Sequence, residues 1–191
     1  MENTNTITMM IGASGSGKSR HCNKAAKEMN AFIIDPDAIK LQLNKQMPLD
    51  KETNENLHPA ASQFAAQLLE SYFNDAEGFK DRYNCNSVIL DNRGKDLKKV
   101  QGRIINAIQA GLKVQFIIVE NDIVNCVLNV AIRNRKSKRS MKIMEVIRAY
   151  KGTHATIEYL KSQESIDTKI VEGYKRIKFH KLCNLLTRCV V

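Results

Sequence analysis

Gly12-Ala13-Ser14-Gly15-Ser16-Gly17-Lys18-Ser19 reads G-x-x-x-x-G-K-S and follows directly on the apolar run Ile7–Ile11. A strand before this pattern and a helix after it are the context that makes it a phosphate-binding loop rather than a Gly/Ser turn carrying a lysine. Glycines at 12, 15 and 17 let the backbone curl so that successive N–H groups face one anion. The helix that follows adds its positive N-terminal end. Lys18 is placed to reach the β- and γ-phosphates of a nucleoside triphosphate, and Ser19 to ligate Mg²⁺. All eight residues from Gly12 to Ser19 are therefore candidate phosphate-binding positions.

Working outward, apolar runs and helical periods alternate. Strands are predicted at Ile7–Ile11, Ala31–Ile34, Ser87–Asp91 and Val114–Val119, with a last strand or hairpin within residues 169–179. Helices are predicted from Lys18 to Met29, after Pro36, from Pro59 to Phe73, from Leu97 to a cap at Gly111, from about Asp122 to Arg133, and from Ile143 to Leu160. Residues 44–56 read as a loop and 74–86 as a polar connector. Such alternation predicts an α/β fold of three layers, a mostly parallel five-stranded sheet with helices on both faces. Residues 1–161 are read as the P-loop domain and 162–191 as a C-terminal extension packed on it.

In parallel sheets the ligand lies at the carboxyl ends of the strands. The phosphate loop, Asp35/Asp37 and Asp91 all fall there. Asp37 is the candidate general base, accepting a proton from an attacking hydroxyl. Asp35, just before Pro36, suits a turn or cap. Asp91 ends an apolar strand in the manner of a Walker B acid, which holds Mg²⁺ together with Ser19. The dense basic segment Arg133–Arg139 reads as a lid, with Arg133 and Arg139 meeting the γ-phosphate on closure. A solvated charge run and a nucleic-acid contact are the alternatives for that segment.

The chain has 191 residues and a formal net charge of +10, which points to a polyanionic or phosphorylated partner or to a solvated basic surface. Its five cysteines are odd in number and form no C-x-x-C pair, so they read as reduced thiols in a cytoplasmic protein. The four histidines show no zinc-ligand spacing. Neither a secretory signal nor a membrane-length apolar run is visible.

Taken together these residues resemble the zeta-toxin family of P-loop kinases. The resemblance rests on Gly12–Ser19, on Asp35-Pro36-Asp37-Ala38-Ile39-Lys40, on His58-Pro59-Ala60-Ala61-Ser62, on Val88–Gly94 and on the arginine-bearing lid. It implies transfer of the γ-phosphate of ATP or GTP, with Mg²⁺, to a hydroxyl of a small acceptor such as a UDP-N-acetyl amino sugar. It also implies an antitoxin protein as partner and the base role for Asp37. Acceptor contacts are expected at Lys40, His58, Ser62 and Arg93, with a plain polar residue at a helix start as the alternative for His58. Two features depart from the family pattern. Asp91-Asn92-Arg93-Gly94 stands where members often have Asp-Gly-Thr-Gly, and no acid follows His58. The polynucleotide 5′-hydroxyl kinase type shares the loop, the second-strand acid and an Arg-Asn lid, and it is the alternative enzyme reading. A nucleotide-dependent binding or regulatory module is the alternative from outside enzymology.

Overall fold

The computed structural model describes residues 5–46, 51–137 and 141–175. Five strands, β1 (Thr6–Ile11), β2 (Ala31–Ile34), β3 (Ser87–Asn92), β4 (Lys113–Glu120) and β5 (Asp167–Glu172), form one sheet in the order β2-β3-β1-β4-β5. Every neighbouring pair is parallel. The helices are α1 (Lys18–Met29), α2 (Pro36–Gln46), α3 (Lys51–Asn74), α4 (Ala76–Tyr83), α5 (Leu97–Gln109), α6 (Ile123–Ser137) and α7 (Ile143–Lys161).

The two-residue alternation of β1 divides the core. Ile7, Met9 and Ile11 pack on one face with Val88, Leu90, Phe116 and Ile118. That face is covered by Leu68, Leu69 and Tyr72 of α3, Val100 and Ile104 of α5, and Ile157 and Leu160 of α7. Met10 points the other way, onto Ile89, Val119 and the Cys22/Ala25 face of α1. A strand apolar on both faces is what a central parallel strand requires. Burial pushes the thiol of Cys22 up to about 11 and that of Cys126 up to about 12, so both are protonated packing groups.

Three sequence-based expectations need correction. The segment read as a loop over 44–56 contains the end of α2 and the start of α3. Pro59 lies inside α3 rather than opening it; a proline costs one main-chain hydrogen bond there, which a 24-residue helix survives. The connector over 74–86 holds α4, capped by the Asp75 carboxylate on the Gly78 N–H at 2.9 Å. Its single buried anchor, Phe79, meets Tyr72 and Phe32 edge-on at 5.4 and 5.5 Å, so an eight-residue helix forms with too few apolar positions to show a period. The expected last strand is present as β5, which adds in parallel to β4.

The Gly111 cap is present: φ is 72°, and the N–H groups of Gly111 and Leu112 return to Ile108 and Ala107. The basic segment begins as the last turn of α6, and Arg139 lies outside the described residues.

Phe79→Ala should cost about 3–5 kcal/mol, because it empties the aromatic contact between α3, α4 and β2. Urea unfolding should show a lowered midpoint with little change in slope.

Candidate active site

The loop from Gly12 to Gly17 joins β1 to α1 at the carboxyl edge of the sheet. Gly15 and Gly17 have φ of 85° and 95°, which only glycine adopts freely. Gly12 has no left-handed φ; its constraint is room, since a Cβ there would stand 2.9 Å from Ser16 Oγ and 3.0 Å from the Val119 carbonyl. A Cβ at Gly15 would overlap the Cys126 carbonyl of α6, and one at Gly17 would meet Tyr174 at 2.7 Å. The loop is thus packed closely against two other segments.

Hydrogen bonds complete that hold. Tyr174 N–H donates to the Ser16 carbonyl at 2.8 Å. Asn129 Nδ2 donates to the Gly15 carbonyl at 2.8 Å and to the Tyr174 carbonyl at 2.9 Å. Asn121 Nδ2 reaches the Ser16 and Tyr174 carbonyls at 3.3 and 3.0 Å. Arg20 lies over the Tyr174 ring at 5.7 Å. Ser16 N–H is spent on the Ala13 carbonyl at 3.0 Å. Ser16 and Gly12 therefore stand behind the loop, while Ala13, Ser14, Gly15, Gly17, Lys18 and Ser19 line a cleft of about 890 Å³.

The acids divide by local geometry. Asp35 Oδ1 accepts the Asp37 N–H at 2.8 Å and its carbonyl accepts the Ile39 N–H at 3.0 Å, so Asp35 caps α2. Asp37, one residue inside the helix, keeps a half-exposed carboxylate in the cleft, 3.5 Å from Arg93 Nη2. Asp91 is nearly buried, its side chain 6% exposed, and forms an ion pair with Lys18 at the cleft floor. Burial lowers the Lys18 ammonium from its ordinary value to about 8, with Asp35 chiefly opposing.

Arg133 lines the cleft from α6, and His58 and Ser62 line it from α3. Lys40 of α2 is not among the lining residues. Arg93 is presented by a clamped loop. Its carbonyl accepts Thr153 Oγ1–H of α7 at 2.9 Å, Asn92 Oδ1 accepts the Gly94 N–H at 3.1 Å, and Gly152 leaves space for the Lys95 carbonyl. A Cβ on Gly94, whose φ is 68°, would stand 2.7 Å from Ile11.

Several contributors were not read from the sequence. Asn121, Asn129, Tyr174, Gly152 and Thr153 carry no motif. Lys99 and Arg103 did carry a signal, a four-residue spacing on the polar side of α5, but that helix was read only for its apolar face. Among the described residues no three His, Cys, Asp or Glu side chains form a metal cluster. A Mg²⁺ ion would find hard oxygen donors in the Ser19 hydroxyl and the Asp91 carboxylate, which fits an ion completed by phosphate and water. No described helix is long and apolar enough to cross a membrane.

The fold is similar to that of the PezAT chromosomal toxin–antitoxin system of Streptococcus pneumoniae, at 16% identity, 88% of this chain, 67% of that chain and a TM-score of 0.66. It is similar to AvrRxo1-ORF1:-ORF2 with ATP, at 16% identity, 96% and 64% coverage and a TM-score of 0.65. A third likeness is to the Pnkp1/Rnl/Hen1 RNA repair complex, at 16% identity, 83% and 47% coverage and a TM-score of 0.59. A search of curated proteins returns no match. The Zeta toxin family model matches residues 2–182, nearly the whole length, and the chain belongs to the Zeta toxin family of P-loop kinases.

Proposed function

We propose that this protein transfers the γ-phosphate of ATP or GTP to a hydroxyl of an acceptor bound between α3 and α5. The observation that carries this reading is the division of the two neighbouring acids. Asp35 Oδ1 is engaged in a helix cap, while Asp37 offers a half-exposed carboxylate to the cleft that Lys18 and Arg133 also line.

In this reading the triphosphate lies along the loop N–H groups, and Lys18 exchanges Asp91 for phosphate oxygens. Ser19 and Asp91 would hold Mg²⁺, whose positive charge offsets that of the phosphates. The acceptor oxygen gives its proton to Asp37 and bonds to the γ-phosphorus, while the bond to the β,γ-bridging oxygen breaks and releases ADP or GDP. Arg133 stabilises the charge on the transferring group. Arg93, beside Asp37, orients the carboxylate.

For the acceptor, the family reading is a UDP-N-acetyl amino sugar. His58, Ser62 and Arg93 are the contacts proposed for it, and Lys40 is left out because it is not among the lining residues. A polynucleotide 5′-hydroxyl is the second reading, favoured by the basic character of the cleft wall formed by Lys95, Lys99 and Arg103. An antitoxin protein is proposed as a partner because the similar Streptococcus pneumoniae structure belongs to a toxin–antitoxin system.

Incubation with ATP, Mg²⁺ and a panel of UDP-sugars should give a phosphorylated sugar by mass spectrometry. A phosphorylated oligonucleotide with no sugar product would transfer the assignment to the second reading, and nucleotide binding without any turnover would leave a binding module. Asp37→Asn should lower kcat by about 10²–10⁴ with donor affinity retained, and undiminished turnover in that variant would remove Asp37 as base. Asp91→Asn should raise the Mg²⁺ concentration needed for half-maximal turnover by tenfold or more; an unchanged Mg²⁺ dependence excludes Asp91 as a metal-site residue.

A further inference from the structure

Helix α6 lies along the phosphate loop and carries Arg133 into the cleft. Two kinds of contact hold it there. Cys126 and Val130, both buried, pack with Ala13 of the loop and Val146 of α7. The helix comes so close that a Cβ on Gly15 would overlap the Cys126 carbonyl and stand 3.0 Å from Val130 Cγ2. Apolar contact of this kind is non-directional and tolerates some rotation or sliding of a helix. Hydrogen bonds do not, because they weaken steeply with angle.

The directional contacts come from two asparagines. Asn121, just before the helix, donates through Nδ2 to the Ser16 carbonyl at 3.3 Å and to the Tyr174 carbonyl at 3.0 Å. Asn129, in the middle of the helix, donates through Nδ2 to the Gly15 carbonyl at 2.8 Å and to the same Tyr174 carbonyl at 2.9 Å. Both of these acceptors are carbonyl oxygens, so only the NH₂ end of the Asn129 amide can face them. Attachment at two points sets the direction of α6 on the loop, and the bond at Asn129 sets its rotation. Arg133 follows Asn129 by four residues, on the same face and about 6 Å further along the axis. Whatever fixes Asn129 against Gly15 therefore fixes the root of Arg133 relative to the loop.

We infer that Asn129 is a positioning residue of the donor site. It registers α6 on the phosphate loop so that Arg133 stands at the distal phosphate, and the preference of the site for a nucleoside triphosphate over a diphosphate depends on it. The inference rests on the reading of Arg133 as a γ-phosphate contact and names the residue through which that contact is set. Asn129 acts through Arg133, since its own N–H groups are spent on two carbonyls. An aspartate in its place would have the same shape but would set a third acceptor against those two carbonyls, so a lost donor and a repulsion would act together.

The test uses the full chain with Mg²⁺ and measures, by calorimetry, the affinities for a non-hydrolysable ATP analogue and for ADP. Their ratio reads the contact with the γ-phosphate and needs no acceptor. Arg133→Ala should lower the ratio in favour of ADP, and Asn129→Ala should lower it by about fivefold or more. Asn129→Asp should lower it at least as far. Asn129 is half-buried, so the alanine variant keeps the fold and carries the test even where the aspartate variant does not. Asn129→Ala/Arg133→Ala should lie within about twofold of Arg133→Ala alone, because a residue that acts through the arginine has nothing left to position. A ratio unchanged in Asn129→Ala, an equal fall in both affinities, or single effects that simply multiply in the double variant would each overturn the inference. A ratio indifferent to Arg133→Ala would overturn it as well, by removing the contact it serves. The expected ratios without phosphate transfer to any acceptor would remove the kinase and keep the positioning role. Transfer whose kcat and affinity ratio are both unchanged in Asn129→Ala would keep the kinase and remove that role.

Discussion

The ion pair between Lys18 and Asp91 is the interaction on which the site depends. Both side chains are nearly dry, and a buried pair of this kind commonly fails to recover its desolvation cost when compared with apolar side chains of similar volume. Stability is thus a weak reason to keep it. On the proposed reading its value lies in exchange, a donor phosphate replacing the carboxylate at the lysine and a divalent cation replacing the lysine at the carboxylate. Its position follows from register, since Asp91 of β3 lies beside Met10 of β1, two residues before the loop that carries Lys18 begins.

A phosphate loop must show N–H groups to its ligand, and this leaves carbonyls on the opposite side. Here Asn121, Asn129 and the Tyr174 backbone hold the carbonyls of Gly15 and Ser16. The shape of the loop is therefore set as much by the end of β4, by α6 and by the chain beyond β5 as by its own glycines. Gly15 and Gly17 are required twice over, for their φ and for the close approach of Cys126 and Tyr174. This gives residues 167–174 a structural duty: β5 brings Tyr174 against the loop, so the sheet edge and the phosphate loop are mechanically joined.

The sequence disclosed what is local and periodic. The loop motif, the apolar strands and the amphipathic helices α1, α5 and α7 were legible because each rests on spacing within about twenty residues. Asp35 and Asp37 were legible as a pair, and their division into cap and cleft residue follows from Pro36 starting the helix between them. What stayed hidden depends on contacts distant in sequence. Thr153 and Gly152 matter because α7 packs against the Arg93 loop some sixty positions earlier, and no pattern around either residue announces it. The α4 helix was hidden for a different reason: one phenylalanine supplies its anchoring, and a single apolar residue has no period.

Arg93 shows how one position can reshape an acceptor site. With its carbonyl fixed by Thr153 and its neighbours by Gly94 and Gly152, the loop has little freedom to retract. The side chain must therefore occupy the cleft, where it meets Asp37. A small residue there would leave the carboxylate facing open space and the wall less positive. An arginine takes up volume, supplies a planar fork of donors, and extends the basic surface of Lys95, Lys99 and Arg103 to the edge of the proposed base. In the proposed reaction this arginine turns the Asp37 carboxylate toward the acceptor hydroxyl, so the departure from the family pattern at position 93 bears on the base as well as on the wall of the cleft.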